Sequence, residues 1–425
     1  MQANELKARI AAGALDAYAH LYTDLAAQTK RYIAAIDAFC ALYGNDRDIR
    51  LFSVPGRSEI SGNHTDHNHG EVLAGAIDRD IIAVAAKNED GVVRIKSEGY
   101  PEDTVAIEQA GDPKAFKPFS SCALLAGTCR GFLDRGYAIG GYDAYTTTEV
   151  LKGSGISSSA AFEVQCGNIM NYLYNDGKIA NEELAKIAQY AENAYFGKPC
   201  GLMDQMACAV GGFLSIDFAD PKNPVVTPVS FSLSDAGYKL CIVNTGGNHA
   251  DLNEDYASVP AEMKAVAAAL GQEVLRGLTE SDIIANIPIL RGTVGDRAIL
   301  RALHFLRENA RVEKQVDALR RGDFDAFLAL VIASGNSSFK YLQNVFTVKN
   351  VTEQGLSLAL AVTEGLLDGK GCAWRVHGGG FAGTVQAFVK AELAEDYRTV
   401  MDSIFGTGAV MMLSVRPVGA TEIAL

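Results

Sequence analysis

The sequence lacks several features that would mark out particular classes of protein. Proline is scarce, at 11 of 425 residues, tryptophan occurs once, and 38 Lys and Arg are outnumbered by 51 Asp and Glu, which gives a formal net charge of −13. The shortage of cations argues against a nucleic-acid-binding protein, because such proteins displace counterions with clustered Lys and Arg. Scarce proline beside 42 glycines argues against a disordered or linker-rich chain, which would be rich in both.

Long apolar runs and paired cysteine motifs are also absent. No stretch reaches the ~18 apolar residues of a membrane span, and Glu5 with two basic residues stands where a signal peptide would carry its apolar segment. The eight cysteines are spread without any C-x-x-C, which indicates free thiols in a reducing compartment and argues against a zinc site built on cysteine. We therefore expect a cytoplasmic protein with neither a membrane nor a nucleic acid as partner.

The chain does contain enough apolar sequence for large cores. Hydrophobic residues make up 48% of it, and its length predicts two or three domains. The segment DPKNPVVTPVS holds three prolines, and we place a domain boundary there, between residues 1–225 and 226–425. Strand patterns include a hairpin predicted over 81–86 and 92–96, whereas 260–366 is predicted to be mostly helical.

A glycine- and serine-rich loop, KGSGISSSAA over 152–161, lies between a predicted strand and a predicted helix. Its glycines let backbone amides face outward, and the N-terminus of the helix carries unpaired N–H groups and a partial positive charge, which suits a phosphate group. A Walker loop would need Gly-Lys-Ser/Thr after a four-residue gap, which this loop lacks. From these residues alone, a Ser-rich connector or a plain helix cap is an equally open interpretation.

A second glycine run, GGGFAG over 378–383, formally satisfies the dinucleotide-binding pattern G-x-G-x-x-G. That pattern must open a helix after its strand, but the residues that follow, TVQAFV, are β-branched and aromatic. We therefore predict a strand–turn–strand unit. Its turn either brings the backbone close to a ligand or another loop, or is purely structural.

A polar run, PGRSEISGNHTDHNHG over 55–70, follows a short predicted strand and holds three His and one Asp within six residues. The spacing H-x-x-H-x-H has neither helical i,i+4 spacing nor support from cysteine, so a metal site is disfavoured. Dense short polar groups suit a hydroxyl-rich ligand such as a sugar. A solvated loop is the alternative.

A fourth segment, AENAYFGKPCGLMDQ over 191–205, has candidate chemistry without a run of glycines. Glu192 lies near the end of a predicted helix, and Asp204 follows a Pro/Gly turn among apolar neighbours. A carboxylate in such surroundings is either a buried structural acceptor or a catalytic group.

Together, these segments resemble the GHMP sugar and metabolite kinases, specifically the galactokinase branch, in the same order and over nearly the whole chain after residue 30. The polar run is similar to the galactokinase signature, KGSGISSSAA to the family's phosphate loop, HGGGFAG to its third motif, and the fourth segment to the one with its magnesium Glu and catalytic Asp. The resemblance implies an α+β fold of two domains with mixed and antiparallel sheets and helices, and an active site between the domains. It also implies an ATP-dependent sugar-1-kinase, with galactose as the expected sugar.

The resemblance further implies roles for individual residues. Asp204 would orient or deprotonate the sugar hydroxyl, and Arg57 would steady the charge of Asp204 and of the transferring phosphoryl group. Mg²⁺, which accompanies ATP, would be held by Ser159 and Glu192. The residues around the ATP phosphates would be Gly153, Ser154, Gly155, Ile156, Ser157, Ser158 and Ser159, and those around the sugar would be Asn63, His64, Thr65, Asp66 and Tyr256.

Several departures from the family pattern lie on the sugar side. Asn63 stands where the family has Glu, His67 where it has Tyr, and Asn248-His249 where it has a Lys-Arg pair. An amide both donates and accepts hydrogen bonds whereas an ionised Glu only accepts, so a pocket with Asn63 would no longer repel a substrate carboxylate. The alternatives are therefore a kinase for a uronic acid, arabinose or N-acetylgalactosamine, and a non-catalytic sugar and ATP sensor. We expect ATP and a small sugar as partners of a monomeric protein.

Overall fold

The computed structural model of the chain describes residues 1–150, 155–198, 200–247 and 252–425. The helices span Ala3–Ala11 (α1), Leu25–Tyr43 (α2), Ser121–Asp134 (α3), Ser158–Tyr174 (α4), Asn181–Ala191 (α5), Met203–Val210 (α6), Asn253–Ala269 (α7), Glu280–Thr293 (α8), Asp296–Arg320 (α9), Phe324–Ser337 (α10), Gly355–Leu367 (α11) and Ala394–Phe405 (α12). The strands span Arg50–Ser61 (β1), Glu71–Lys87 (β2), Val92–Ser97 (β3), Glu102–Ala106 (β4), Tyr142–Thr148 (β5), Phe213–Asp217 (β6), Val225–Val229 (β7), Tyr238–Asn244 (β8), Ala373–His377 (β9), Thr384–Lys390 (β10), Val410–Leu413 (β11) and Thr421–Ile423 (β12).

The larger sheet has eight strands in the order β12-β1-β2-β5-β3-β4, and β6 and β7 extend it from β2. Its two longest strands, β1 and β2, pair antiparallel, with register shifts between Pro55 and Arg57 and between Glu59 and Ser61. Such irregularities bend a strand and re-aim its side chains. They fall where the polar run of the sequence begins.

The predicted hairpin over 81–86 and 92–96 is wrong. Both segments are strands, but β5 pairs antiparallel with β2 and parallel with β3, and so lies between them. The Asn88 amide donates to the Val92 carbonyl and to the Asp143 carboxylate of β5, which ties the turn to the inserted strand. A local turn pattern carries no information about a strand that arrives some fifty residues later.

The smaller sheet has the order β11-β8-β10-β9. Strands β9 and β10 pair antiparallel from Ala373 opposite Phe388 to His377 opposite Thr384, so the run GGGFAG joins two strands. This pairing confirms the predicted strand–turn–strand unit. The helices predicted over 260–366 are present as α7 to α11.

The predicted boundary at residue 225 does not coincide with a division between the sheets. It falls inside β7, which pairs with β6, and the last strand, β12, pairs with β1. Two pieces of the predicted second domain therefore belong to the larger sheet. Pro228 lies within β7, where its missing N–H is tolerated because β7 is an edge strand.

Buried apolar residues hold the start of α4 against β1. Val54 and Ile60 of β1 share one core cluster with Ala160, Ala161 and Val164 of α4, and each of these is at most 1% exposed. This packing fixes the N-terminus of α4 beside the middle of β1. All eight cysteines are free thiols, which confirms that part of the sequence prediction, and no helix within the described ranges is long and apolar enough to cross a membrane.

Candidate active site

Arg57 of β1 and Asp204 in the first turn of α6 form a two-point ion pair. Arg57 Nε donates to Asp204 Oδ1 at 2.8 Å, and Nη2 donates to Oδ2 at 2.9 Å. The remaining terminal nitrogen, Nη1, donates to the Gly155 carbonyl at 2.7 Å. Burial disfavours the charged carboxylate, but Arg57 outweighs this and lowers the pKa of Asp204 below its usual range. Asp204 is therefore an ionised acceptor at neutral pH.

The described part of the phosphate loop lies directly on this ion pair. The Ser157 hydroxyl donates to Asp204 Oδ2, and the backbone N–H of Arg57 donates to the Ile156 carbonyl at 3.1 Å. Ser157 adopts a left-handed conformation, with φ 60° and ψ 59°, immediately before α4 begins at Ser158. The unpaired N–H groups of the helix start are thus next to Asp204. Gly153 and Ser154, which the sequence also assigns to this loop, lie outside the described residues.

Gly155 lets the loop approach the smaller sheet. It has φ +76°, and a Cβ added there would lie 2.9 Å from Thr384 Oγ1 and 3.3 Å from His377 Nδ1. His377 in turn contacts the Ser58 hydroxyl through Nε2 at 3.0 Å. The phosphate loop, β1 and the ends of β9 and β10 therefore meet at one point.

Glu192 lies in a π-helical turn, Glu192–Phe196, that continues α5, and it is 2% exposed. Its Oε1 accepts from Lys198 Nζ at 2.9 Å, and its Oε2 accepts from Gln205 Nε2 at 2.7 Å. Gln205 also donates to Glu163 Oε2 at 3.1 Å. Burial and the nearby Glu192 raise the pKa of Glu163 well above its ordinary value.

Two carboxylates and one amide offer oxygen atoms to a divalent cation here, although the described residues hold no group of three or more Asp, Glu, His or Cys side chains arranged for a metal. Glu163 Oε1 and Gln205 Oε1 are buried acceptors without a hydrogen-bond partner, and such atoms are uncommon in native proteins. Oxygen ligands of this kind suit Mg²⁺. Ser159 and Glu163 are four residues apart on α4 and so share a face of that helix. Sequence reasoning missed Glu163 and Gln205, although Glu163 lies just after the glycine- and serine-rich loop and Gln205 ends the segment over 191–205.

Asn63 and Thr65 turn their polar atoms into the protein, and both are fully buried. The Asn63 amide donates to Glu59 Oε1 at 2.9 Å and to the Gly378 carbonyl at 2.6 Å, while its Oδ1 accepts from Asn344 at 2.8 Å. The Thr65 hydroxyl lies 2.8 Å and 2.6 Å from two backbone carbonyls. Both side chains therefore hold the shape of the loop. Direct contact with a sugar stays a prediction for them, and their present bonds do not favour it.

His64, Asp66 and Tyr256 border the same loop and are partly exposed. His64 Nε2 lies 2.9 Å from the Gly379 carbonyl, and the Tyr256 hydroxyl donates to the Gly380 carbonyl at 2.9 Å. Burial raises the pKa of Tyr256 to about 12, so its hydroxyl keeps its proton. Asp66 lies against the segment before Asp204: its Oδ2 is only 2.7 Å from the position that a Cβ at Gly201 would occupy. The structure thus brings together the polar run over 55–70, called the sugar loop from here on, the third motif over 378–383 and the segment that leads to Asp204.

Three residues of α9 support the sugar loop, and sequence reasoning missed all of them. His304 Nε2 lies 2.9 Å from the Asn63 carbonyl, and Asn309 Oδ1 accepts from the Glu71 N–H at 2.7 Å. Glu308 Oε1 lies within 3.3 Å of the Ser61 hydroxyl and the Gly62 N–H. His304 and Glu308 are four residues apart and so share one face of α9, and Asn309 follows Glu308. This spacing was visible in the sequence, but the loop that these side chains contact lies some 240 residues earlier.

Comparisons with known proteins match the same segments. Residues 37–87, which contain the polar run, match the galactokinase galactose-binding signature, and residues 123–212, which contain the phosphate loop and Asp204, match the GHMP kinases N terminal domain. A galactokinase of Streptomyces coelicolor is 30% identical over 383 residues, covering 88% of this chain and 93% of that protein. A galactokinase of Actinobacillus pleuropneumoniae is 29% identical over 372 residues, covering 86% and 92%.

Solved structures agree on the fold. Lactococcus lactis galactokinase complexed with galactose aligns with a TM-score of 0.76 and 23% identity, covering 91% of this chain and 98% of that one. A mevalonate kinase aligns with a TM-score of 0.60 and 14% identity, covering 87% and 99%. These alignments confirm the predicted α+β GHMP-kinase fold. Sequence and fold lead to the same conclusion: the chain belongs to the galactokinase family of the GHMP kinases.

Proposed function

We propose that the protein transfers the γ-phosphoryl group of ATP to the C1 hydroxyl of galactose. The observation that carries the proposal is the ion pair between Arg57 of β1 and Asp204 of α6, which lies beside the start of α4. The Ser157 hydroxyl, just before α4, donates to the same carboxylate. Phosphoryl transfer depends mainly on positioning and on neutralising charge. An ionised carboxylate, a guanidinium and a helix N-terminus in contact supply these requirements.

Each group then has a distinct task. Asp204 orients the sugar hydroxyl and accepts its proton, because Arg57 keeps the carboxylate ionised. Arg57 also offers positive charge beside the phosphoryl group that moves. The backbone N–H groups at the start of α4 and the loop residues Gly155 to Ser159 hold the phosphates.

Ser159 and Glu192 are the residues that would hold Mg²⁺ in this proposal. When bound, Mg²⁺ neutralises phosphate charge. Gln205 orients Glu192 through its hydrogen bond to Oε2. The same amide nitrogen also donates to Glu163, which is fully buried. Lys198 contributes a positive charge on the solvent side of Glu192, since its side chain is 55% exposed and forms an ion pair with that carboxylate.

The sequence alternatives receive less support. A uronic acid was suggested by the Asn63 amide, but both hydrogen atoms of that amide are donated to Glu59 and Gly378. A non-catalytic sensor has no need for Arg57 and Asp204 to meet in two hydrogen bonds. The free cysteines support a cytoplasmic location. A monomeric state stays a prediction.

The test is sugar-dependent release of ADP with Mg²⁺ present. Galactose, galacturonate, arabinose and N-acetylgalactosamine are compared in the wild-type protein, in Asp204→Asn, and in Asp368→Asn as a control on an exposed carboxylate. We expect galactose to give the highest kcat/KM, and Asp204→Asn to lower kcat by roughly 10²–10⁴-fold. Binding of galactose and ATP without turnover would favour the sensor. Turnover confined to another of the four sugars would show that this sugar, and not galactose, is the substrate.

A further inference from the structure

Three side chains of the sugar loop form a continuous hydrogen-bonded series that phosphoryl transfer by Arg57 and Asp204 does not require. His67 Nδ1 lies 2.8 Å from Asp66 Oδ1, and His67 Nε2 lies 3.2 Å from His64 Nδ1. His64 Nε2 lies 2.9 Å from the Gly379 carbonyl, which belongs to the turn between β9 and β10. The series therefore runs from Asp66 through two imidazole rings to the third motif.

The ends of the series fix the protons within it. The Gly379 carbonyl can only accept, so His64 carries its proton on Nε2 and leaves Nδ1 as an acceptor. His67 must then donate from Nε2 to His64 and from Nδ1 to the Asp66 carboxylate, which makes His67 an imidazolium.

The pKa shifts of the two histidines agree with this assignment. Burial and the charge of His67 lower the pKa of His64 to about 4, which keeps that ring neutral. Burial disfavours the charged form of His67, but Asp66 outweighs it and raises the pKa of His67 above its ordinary 6.5. Lys264 also faces His67 and opposes this shift.

The series holds Asp66 in one orientation. His67 occupies Oδ1, and Oδ2 lies towards Gly201, in the segment that leads to Asp204. The side chains of His67 and Asp66 are 27% and 26% exposed, so the pair is partly accessible to solvent. His64 has a left-handed φ of 60°, which is uncommon for a residue other than glycine.

We propose that His67 is a positioning residue that sets how Asp66 is presented to the sugar and so controls sugar affinity. The inference rests on the proposed function, in which Asp66 binds a sugar hydroxyl. With Oδ1 committed to His67, Asp66 offers its other oxygen to the sugar. A tyrosine, which the family resemblance places at this position, could offer Asp66 one hydroxyl, but it would bring neither a charge nor a second donor for His64.

A double-mutant cycle tests the proposal. The dissociation constant of galactose without ATP, KM and kcat are measured for wild type, His67→Phe, Asp66→Asn and the double variant. We expect His67→Phe to raise both the dissociation constant and KM by roughly tenfold or more, the loss of one hydrogen bond to a charged group, with a much smaller change in kcat. In the Asp66→Asn background the same substitution should have no further effect, because His67 acts through Asp66.

Two further variants separate positioning from a general effect on the fold. In His67→Asn the amide nitrogen stands close to the place of Nδ1 and can still donate to Asp66, so this variant should recover most of the galactose affinity that Phe loses. His69→Asn changes a histidine in the same turn that is not part of the series, and should leave affinity unchanged. If His67→Phe does not fold, His67→Gln, whose amide reaches the place of Nε2 and not of Nδ1, replaces it in the cycle.

The outcomes separate the two proposals. The role of His67 is overturned if His67→Phe leaves galactose affinity unchanged, or if it lowers affinity equally in the wild-type and Asp66→Asn backgrounds. The proposed function stands in either case, provided that the wild-type protein phosphorylates galactose. A wild-type protein that neither binds nor phosphorylates galactose overturns the proposed function, and this inference with it.

Discussion

Arg57 and Asp204 are 147 residues apart in the chain and meet through two nearly parallel hydrogen bonds of 2.8 and 2.9 Å. Arg57 follows a register shift in β1, and Asp204 begins α6, so a bent strand and a helix start are held face to face. Two-point pairing of this kind gives both strength and orientation. It explains why the carboxylate is ionised although it lies in a largely buried site.

The pH dependence of stability tests the charge of Asp204. Its pKa in the folded protein lies below the usual 3.8, so its contribution to stability is present above pH 3.8 and is lost as the pH falls through the folded pKa. We expect the unfolding free energy of the wild type, minus that of Asp204→Asn, to be constant above about pH 5 and to shrink on further acidification. Urea denaturation between pH 3 and 8 measures this difference.

Arg57→Met is the matched variant for that experiment, because it removes the cause of the shift. In the Arg57→Met background, the difference in unfolding free energy caused by Asp204→Asn should no longer shrink as the pH falls below about 5. A wild-type difference that grows on acidification would mean that burial dominates and that the folded pKa of Asp204 is raised, which contradicts an ionised base.

The close approach at Gly155 predicts a defect in ATP binding. An alanine there would have a left-handed φ and would place its Cβ 2.9 Å from Thr384 Oγ1. Gly91→Ala is the control, since Gly91 also has a positive φ of +70° but has no atom within 4 Å of the added Cβ. The control should lose about 1–2 kcal/mol of unfolding free energy from its backbone conformation alone. Gly155→Ala should lose more and should also raise KM for ATP, as measured by steady-state kinetics.

A normal KM for ATP in Gly155→Ala, with a stability loss equal to that of Gly91→Ala, would contradict the close approach of the loop to the smaller sheet. Thermal unfolding of both variants under the same conditions supplies the comparison.

The internal bonds of Asn63 predict that charge is not tolerated at this position. Asn63→Glu would bring a carboxylate next to Glu59, whose own pKa burial raises above its ordinary value. Asn63→Gln has the same length as Asn63→Glu without the charge and serves as the control. We expect the Glu variant to be less stable than the Gln variant by about 2–4 kcal/mol in denaturant unfolding.

The sugar panel adds a second measurement to that pair. If Asn63 only shapes the loop, both variants keep the ranking of the four sugars even where their KM values rise. A stable Asn63→Glu protein with a changed ranking would show direct contact between Asn63 and the substrate.

The sequence could predict those features that depend on local pattern. The strand–turn–strand unit at 378–383, the loop leading into α4 and the helices of 260–366 follow from residue spacing over a few turns. The insertion of β5 between β2 and β3 and the return of β12 to β1 do not, because they depend on pairing between distant segments.

The candidate site shows the same division. The residue types at Arg57 and Asp204 did not by themselves place them together; the resemblance to the GHMP kinases did, and the structure brings the two side chains into contact. The direction of the Asn63 amide depends on Glu59 and on Gly378, 315 residues away, and could not be inferred from its type. The support of the sugar loop by α9 was hidden for the same reason.

The support of the sugar loop by α9 centres on Glu308. Glu308 accepts hydrogen bonds from Ser61, Gly62 and Ser334 and pairs with Arg311. Burial opposes its ionisation, but His304 and Arg311 outweigh it and lower the pKa of Glu308 to about 2. We expect Glu308→Gln to lose ~3 kcal/mol of unfolding free energy at neutral pH, because it breaks a buried ion pair.

The sign of the pH effect follows from the direction of the shift. The Glu308 contribution is present above its ordinary pKa of 4.5 and is lost as the pH falls towards about 2, so the stability gap to Glu308→Gln should narrow over that range. At neutral pH the variant should raise KM for galactose more than it lowers kcat, because the loop at 61–62 shifts while Arg57 and Asp204 stay paired. Glu364→Gln, on the exposed side of α11, is the control. An unchanged KM in a destabilised Glu308→Gln protein would mean that α9 supports the fold but not the sugar site.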